Sequence, residues 1–253
     1  MTTLEDDRGD IHSSGEPLEL ALFVKIAHSA VVRTLCAAPA INDLILDAEH
    51  GAFSDAELET LCELITLSGR RPVVRVASPD PLAVGRALDR GAQGVMIPRS
   101  GGLDDTLRAI EGLQFAPKGL RGWDPTSAAF GYGAGRDGRG VGQARCFVQI
   151  ETSGALRDAA DIAALPAVTD LFVGPADLAR ALGADEGIFG QAVLDAVEDL
   201  ARRVPSGAAR LGLFVDSVER GHWARSLGYR YLAVGSDVGL LNHGARAAEG
   251  FLA

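Results

Sequence analysis

A single-domain (β/α)8 TIM barrel of the α/β class is predicted from three observations on this chain. Short aliphatic or β-branched runs recur with amphipathic stretches between them, the signature of repeated βα units on a parallel sheet. Eight such runs occur, the number a closed barrel needs. The length of 253 residues also matches a barrel of about 250. A doubly wound open sheet is the runner-up.

The strands are read in order as LALFVKIA from Leu20, DLILDA from Asp43, RPVVRVA from Arg71, GVMIPR from Gly94, CFVQIE from Cys146, DLFVGPADL from Asp170, RLGLFV from Arg210 and YLAVGSD from Tyr231. Helices fill the intervals. SDAELETLCELITLSG is opened by a Ser54 cap and closed by Gly69, and DPLAVGRALDRG is closed by Gly91. The connection over 116–145 is unusually long and rich in Gly and Arg, a length that normally marks function or mobility. Gly133, Gly135 and Gly138 within it match a G-x-G-x-x-G spacing, but the pattern precedes a strand instead of leaving one, which argues against a dinucleotide site.

Residues 1–17, starting MTTLEDDRGDIHSSGE, lack the basic and then apolar pattern of an export signal and read as a mobile polar leader, with the barrel domain over 18–253. No apolar run approaches the roughly 20 residues a bilayer requires, so no membrane partner is expected and the cytoplasm is the expected location. A net charge of -10 and the absence of a basic stripe exclude a nucleic-acid partner and suit a metal cation better. Cys36, Cys62 and Cys146 show neither paired nor C-x-x-C spacing and are expected as buried, reduced thiols. His12, His28, His222 and His243 fall on the leader or on helical and terminal segments, where surface or packing roles are expected.

Active sites of such barrels lie at the C-terminal mouth, so the polar residues ending the strands are the candidates. Strand two ends in Asp47, Glu49 and His50; strand three in Arg75; strand five in Gln149 and Glu151; strand six in Asp177; strand eight in Asp237. Period two puts Gln149 and Glu151 on one side of their strand. Glu151 and Asp177 end adjacent strands, and facing carboxylates repel unless a proton or cation lies between them. Oxygen ligation of this kind favours Mg2+ or Mn2+ over Zn2+. Either carboxylate could instead cap a helix or pair with an arginine, as Asp177 could cap LARALG. His50 beside Asp47 suggests an imidazole oriented by a carboxylate, the arrangement of a general base. Arg75 would stabilise an oxyanion.

DAEHGAF, PVVRVASPDP, ALDRGAQGVMIP, PKGLRG, QIET, FVGPADLA and AVGSDVGLL, in this order and spacing, resemble the HpcH/HpaI aldolase family from about residue 20 onward. The resemblance implies a phosphoenolpyruvate/pyruvate-type barrel whose last helix is exchanged with a partner, in a homo-oligomer built as a hexameric trimer of dimers. It implies a class II, divalent-metal-dependent aldehyde-lyase using Mg2+, Mn2+ or Co2+, which cleaves a 4-hydroxy-2-oxo acid to pyruvate, or a close 2-oxo acid, and an aldehyde. By match, Glu151 and Asp177 would hold the metal. Gln149, Gly174, Pro175, Ala176 and Asp177 would line the 2-oxo acid, with Arg75 facing its enolate. Asp47 and His50 would form an acid/base dyad, Glu49 would steady a water, and Asp89 would be lent across a subunit boundary.

Two positions depart from the pattern. Ser127 and Ala128 stand in the long loop where many relatives carry an arginine, which puts a contact to acidic acceptor aldehydes or to the oligomer interface in question. Lys25 stands where relatives have a small residue; it could reach a substrate carboxylate, but its ammonium is expected to run out to solvent. Three competing activities remain. A Schiff-base aldolase needs a lysine in the barrel, for which Lys25 alone is roughly placed. A lyase of citramalyl-CoA type needs a basic groove for the CoA phosphates. A non-catalytic 2-oxo-acid-binding barrel would have no use for a proton relay.

Overall fold

The computed structural model describes residues 17–134 and 144–252. The expected leader as far as Glu16, with His12 in it, and Gly135 and Gly138 lie outside the described residues. Eight strands, β1 (Glu19–Val24), β2 (Ile41–Asp47), β3 (Arg71–Arg75), β4 (Gly94–Ile97), β5 (Arg145–Ile150), β6 (Asp170–Val173), β7 (Arg210–Phe214) and β8 (Tyr231–Ser236), pair in parallel with their neighbours. β8 returns to β1 and closes the barrel. The open-sheet alternative is thereby set aside.

Helices follow every strand: α1 (Ser29–Cys36), α2 (Asp55–Leu67), α3 (Pro81–Asp89), α4 (Leu103–Ile110), α5 (Ser153–Arg157), α6 (Ala159–Ala163), α7 (Pro175–Ala181), α8 (Gln191–Arg203), α9 (Val218–Ser226) and α10 (Asp237–Ala247). Their ends carry the expected signals. Ser54 and Glu57 form a reciprocal capping box at α2, and Gly69 and Gly91 take positive φ just past α2 and α3. The sixth strand is shorter than its apolar run. It stops at Val173 because Pro175 has no N–H for a ladder and a φ suited to the first turn of α7.

Alternation along each strand divides the core in two. In β1, Ala21 and Phe23 point into the barrel, while Leu22 and Val24 pack against the helices. Met96, Phe147, Phe172 and Tyr231 fill the interior from other strands. Burial raises the Cys62 and Cys146 thiols to about 12, and all three cysteines are free and buried, as expected.

The end of the barrel opposite the mouth is closed by charges that the sequence had not singled out. Arg145 Nη1 lies 3.0 Å from both Glu19 and Asp43, and its Nη2 lies 2.9 Å from Asp170. Arg210 joins Glu19 at 2.8 Å and Asp170 at 2.7 Å, and Arg71 reaches Asp43 at 2.6 Å. Three guanidinium groups thus balance three carboxylates in a largely dry floor. Burial still dominates at Asp170, pushing it up to about 6 against the pull of Arg145 and Thr169.

The long connection after α4 is folded on the outside of the barrel as far as it is described. Trp123 packs between Phe115 and Phe130, 4.9 Å from each ring centre. Ser127 and Ala128 begin a single 3-10 turn over Ala128–Phe130 in this cluster and do not line the central cavity. No helix among the described residues is long and apolar enough to cross a membrane. Helix α10 leaves Leu240 and Leu241 48% and 59% exposed.

Candidate active site

A cavity of roughly 330 Å3 opens at the C-terminal mouth. Its walls come from seven strand ends. Phe23, Phe172 and Phe214 form the apolar base; Arg75, Gln149 and Glu151 stand on one side, Gly174 to Asp177 on the next, and His50, Lys25 and Ser236 at the rim. The residues expected to face the mouth from strands three, five and six are therefore in one cleft.

Asp47 is fully buried, and Arg75 grips it with two hydrogen bonds, Nε to Oδ1 at 2.8 Å and Nη2 to Oδ2 at 2.6 Å. The register makes this pair, since Asp47 lies directly beside Arg75 across the β2–β3 ladder. The turn after β2 adds the backbone N–H groups of Glu49 and His50, which donate to Oδ1 at 3.3 and 3.2 Å. Gly51 makes this turn possible: a Cβ there would sit 2.5 Å from the Asp47 carbonyl oxygen. Burial pushes the Asp47 carboxyl up, but the Arg75 hydrogen bonds and charge, the His50 N–H and the Lys25 charge together outweigh it and hold it below the usual range.

The two side chains of the expected Asp47–His50 dyad have different direct partners. The Asp47 carboxylate holds Arg75, whereas the His50 ring, 52% exposed, has its ion-pair contact with Glu49, Nε2 to Oε2 at 3.7 Å. Glu49 is itself held by Arg75 at 3.4 Å and by Arg99 at 3.0 Å. The physical reason is competition: a guanidinium matches both carboxylate oxygens at once, which an imidazole cannot do.

Glu151 is buried, and its Oε1 accepts the Arg99 N–H at 2.6 Å. Burial raises its carboxyl to about 7; the Arg99 N–H opposes this, Glu49 and Asp177 raise it further, and the Arg75 charge lowers it. Asp177 sits in the first turn of α7, whose N-cap is Gly174, so Asp177 does not cap this helix. Gly174 lets the two walls close on each other, because a Cβ there would meet Glu151 Oε2 at 2.6 Å. Gln149 Oε1 is buried without a hydrogen-bond partner. A cleft with two carboxylates and an unpartnered amide oxygen on one side fits a hard divalent cation. Among the described residues no three His, Cys, Asp or Glu side chains are arranged to hold a metal ion between them, so an ion bound by Glu151 and Asp177 would draw its remaining ligands from substrate and water.

Two other expectations change. Asp237 does not line the cavity; it is buried, and its carboxylate accepts the N–H groups of Lys25 at 3.0 Å, Ile26 at 2.8 Å and Val238 at 2.7 Å, tying the end of β1 to α10. Lys25 lines the cavity instead of running clear of it, with Nζ 3.6 Å from Asp47 Oδ2. Asp89 stays outside the cavity of its own barrel and is bound by Arg121 of the long connection at 2.6 Å. Arg99 was not anticipated. Its role rests on a left-handed backbone, φ 50°, which turns its own N–H toward Glu151, and nothing in the local sequence announces that.

Polar chemistry gathered at the C-terminal mouth of a closed (β/α)8 barrel is how enzymes of this architecture are built, and the molecule is of that class. The family model described as HpcH/HpaI aldolase/citrate lyase matches residues 19–244. The chain belongs to this family. It is 32% identical to a hydroxypyruvate/pyruvate aldolase of Paraburkholderia phytofirmans over 235 residues, 88% of each chain. It is 30% identical to a 2-dehydro-3,6-dideoxy-6-sulfogluconate aldolase of Pseudomonas putida over 203 residues, 78% of each chain. A crystal structure of a family protein from Burkholderia cenocepacia J2315 superposes with a TM-score of 0.86 at 30% identity, covering 96% of each chain.

Proposed function

We propose that this chain is a divalent-metal-dependent aldolase, using Mg2+, Mn2+ or Co2+, that reversibly cleaves a 4-hydroxy-2-oxo acid into pyruvate, or a close 2-oxo acid, and an aldehyde. The observation that carries the reading is the buried Glu151 facing Asp177 across a cleft that also holds Arg75 and His50, where among the described residues neither carboxylate forms an ion pair. The relatives support the substrate class, since one is named for pyruvate and hydroxypyruvate and the other for a sulfogluconate derivative.

Glu151 and Asp177 would hold the cation, which when bound supplies Lewis acidity for the charge developing on the keto oxygen. Gln149, Gly174, Pro175 and Ala176 line the place of the 2-oxo acid. Arg75 is locked by Asp47 and by the Phe23 ring, 5.0 Å from its Cζ, and directs its remaining N–H groups at the developing oxyanion. His50, at the rim, takes the C4 hydroxyl proton as the C3–C4 bond breaks, directly or through a water, and the electron pair passes to the enolate. Protonation of C3 completes cleavage. Glu49, fixed by Arg75 and Arg99, would position that water or the imidazole. The three phenyl rings keep solvent from the reacting carbons.

A homo-oligomer is part of the proposal. The exposed Leu240 and Leu241 of α10 suit burial against a second copy, in which the partner's copy of Asp89 would be the one lent to this mouth. The buried, unpaired thiols suit a reducing, cytoplasmic setting. Proton NMR of pyruvate in D2O tests the central claim without knowledge of the aldehyde: the enzyme with Mn2+ exchanges the methyl protons, and exchange that persists after complete chelation refutes it.

A further inference from the structure

Lys25 follows β1 directly, and in a closed ring of eight strands β1 stands opposite β5. Its side chain therefore enters the cavity from the wall facing Glu151. Its backbone is held in place, with its N–H on both oxygens of the buried Asp237 at 3.0 Å. Its ammonium is much less engaged. The contact with Asp47 is 3.6 Å long, and Asp47 already accepts Arg75 twice and two backbone N–H groups. Among the described residues Lys25 Nζ makes no hydrogen bond, and the side chain is 39% exposed.

The other cations near the mouth are committed. Arg75 is bound to Asp47 and Glu49, and Arg99, which does not line the cavity, spans Glu49 and the Ala77 carbonyl. The described part of the long connection contributes no cation to the cavity. A 2-oxo acid held at the ends of β5 and β6 would extend its remaining carbons past Phe23 and Phe214 toward the opposite wall, where Lys25 and Ser236 are the polar groups.

We propose that Lys25 is a specificity-determining residue: it binds an anionic group, carboxylate or sulfonate, at the far end of the aldehyde fragment, so that the preferred substrate is a 4-hydroxy-2-oxo acid with a second, distal acidic group. The inference rests on the aldolase reading above. An ammonium with unengaged donors in a half-enclosed cleft forms a charge-assisted hydrogen bond with such a group, and a neutral chain of equal length gains nothing there.

The test compares pyruvate addition to succinic semialdehyde and to butanal, which has the same number of carbons without the charge, using the Mn2+-loaded enzyme. The wild type favours succinic semialdehyde in kcat/KM, and raising the KCl concentration erodes the preference. In K25M the ratio of the two kcat/KM values falls about 10- to 100-fold, whereas K25R keeps most of it. An unchanged ratio in K25M, or a wild type that prefers butanal at low salt, overturns the proposal. The salt series on the wild type decides the matter if K25M does not fold. Pyruvate methyl exchange by the wild type separates the two claims: without exchange the aldolase reading and this inference fall together, and with exchange but an unchanged ratio the inference alone falls.

Discussion

Arg75 and Asp47 form a two-pronged ion pair inside the barrel mouth, at 2.8 and 2.6 Å, between neighbouring strands in register. In the proposed reaction it supports the chemistry, and it is at once a part of the fold. In D47N the guanidinium loses its buried counter-charge, a change that costs about 3–5 kcal/mol. The folded Asp47 carboxyl lies below its ordinary value, so this stability is fully present above about pH 4 and is lost as pH falls through the depressed value. Urea unfolding of wild type and D47N at pH 7 and below pH 4 checks it: the gap narrows on acidification, and a gap that widens contradicts the assignment.

Arg75 itself is expected to act through its fork. R75K keeps a charge but cannot hold Asp47 twice while also facing an oxyanion. Pyruvate methyl exchange in R75K is expected to fall about 10²- to 10³-fold. A loss smaller than threefold, with the protein folded, removes Arg75 from the oxyanion role.

Cation binding is expected to depend on the closeness of Glu151 and Gly174. E151Q and D177N each weaken Mn2+ binding, followed by the loss of free-ion EPR signal, by at least about tenfold. G174A is expected to do the same although it removes no ligand, because its Cβ would lie 2.6 Å from Glu151 Oε2. Native Mn2+ affinity in E151Q would exclude Glu151 as a ligand.

His50 is expected to move protons without holding the cation. In H50Q methyl exchange drops about 10²- to 10⁴-fold while Mn2+ affinity stays within twofold of wild type, roughly. Equal losses in both would place the imidazole in the metal site instead.

The charged floor predicts a separation of stability from chemistry. R145M leaves Glu19, Asp43 and Asp170 with only Arg71 and Arg210 to balance them, and is expected to lower unfolding free energy by about 3–5 kcal/mol. Exchange per folded molecule should be unchanged, since Arg145 stands at the opposite end of the barrel from the mouth. Loss of turnover in protein that is still folded would show the floor coupled to the mouth.

The barrel was legible because local pattern carries it. Eight apolar runs, caps such as Ser54 and stops such as Gly69 and Gly91 all act within a few residues of themselves. The same period-two logic located the strand ends, so Arg75, Gln149 and Glu151 were found where the cavity has them. The floor was passed over because Arg71, Arg145 and Arg210 open their strands, and a charge at a strand start reads as an ordinary solvated end. Only closure of the ring brings Arg145 to Glu19, 126 residues away.

The amino-acid order settled the eightfold repeat, the strand-end inventory and the oxygen-rich character of the mouth, because burial patterns and residue types are written locally. Partner choice was decided in three dimensions. Asp47 took the Arg75 side chain and not the His50 ring, Asp237 became a staple for the Lys25 backbone, and the Lys25 ammonium faced the cleft. Each choice is a competition between groups distant in the chain. The winner is set by strand register and by which donors best match a carboxylate withdrawn from water.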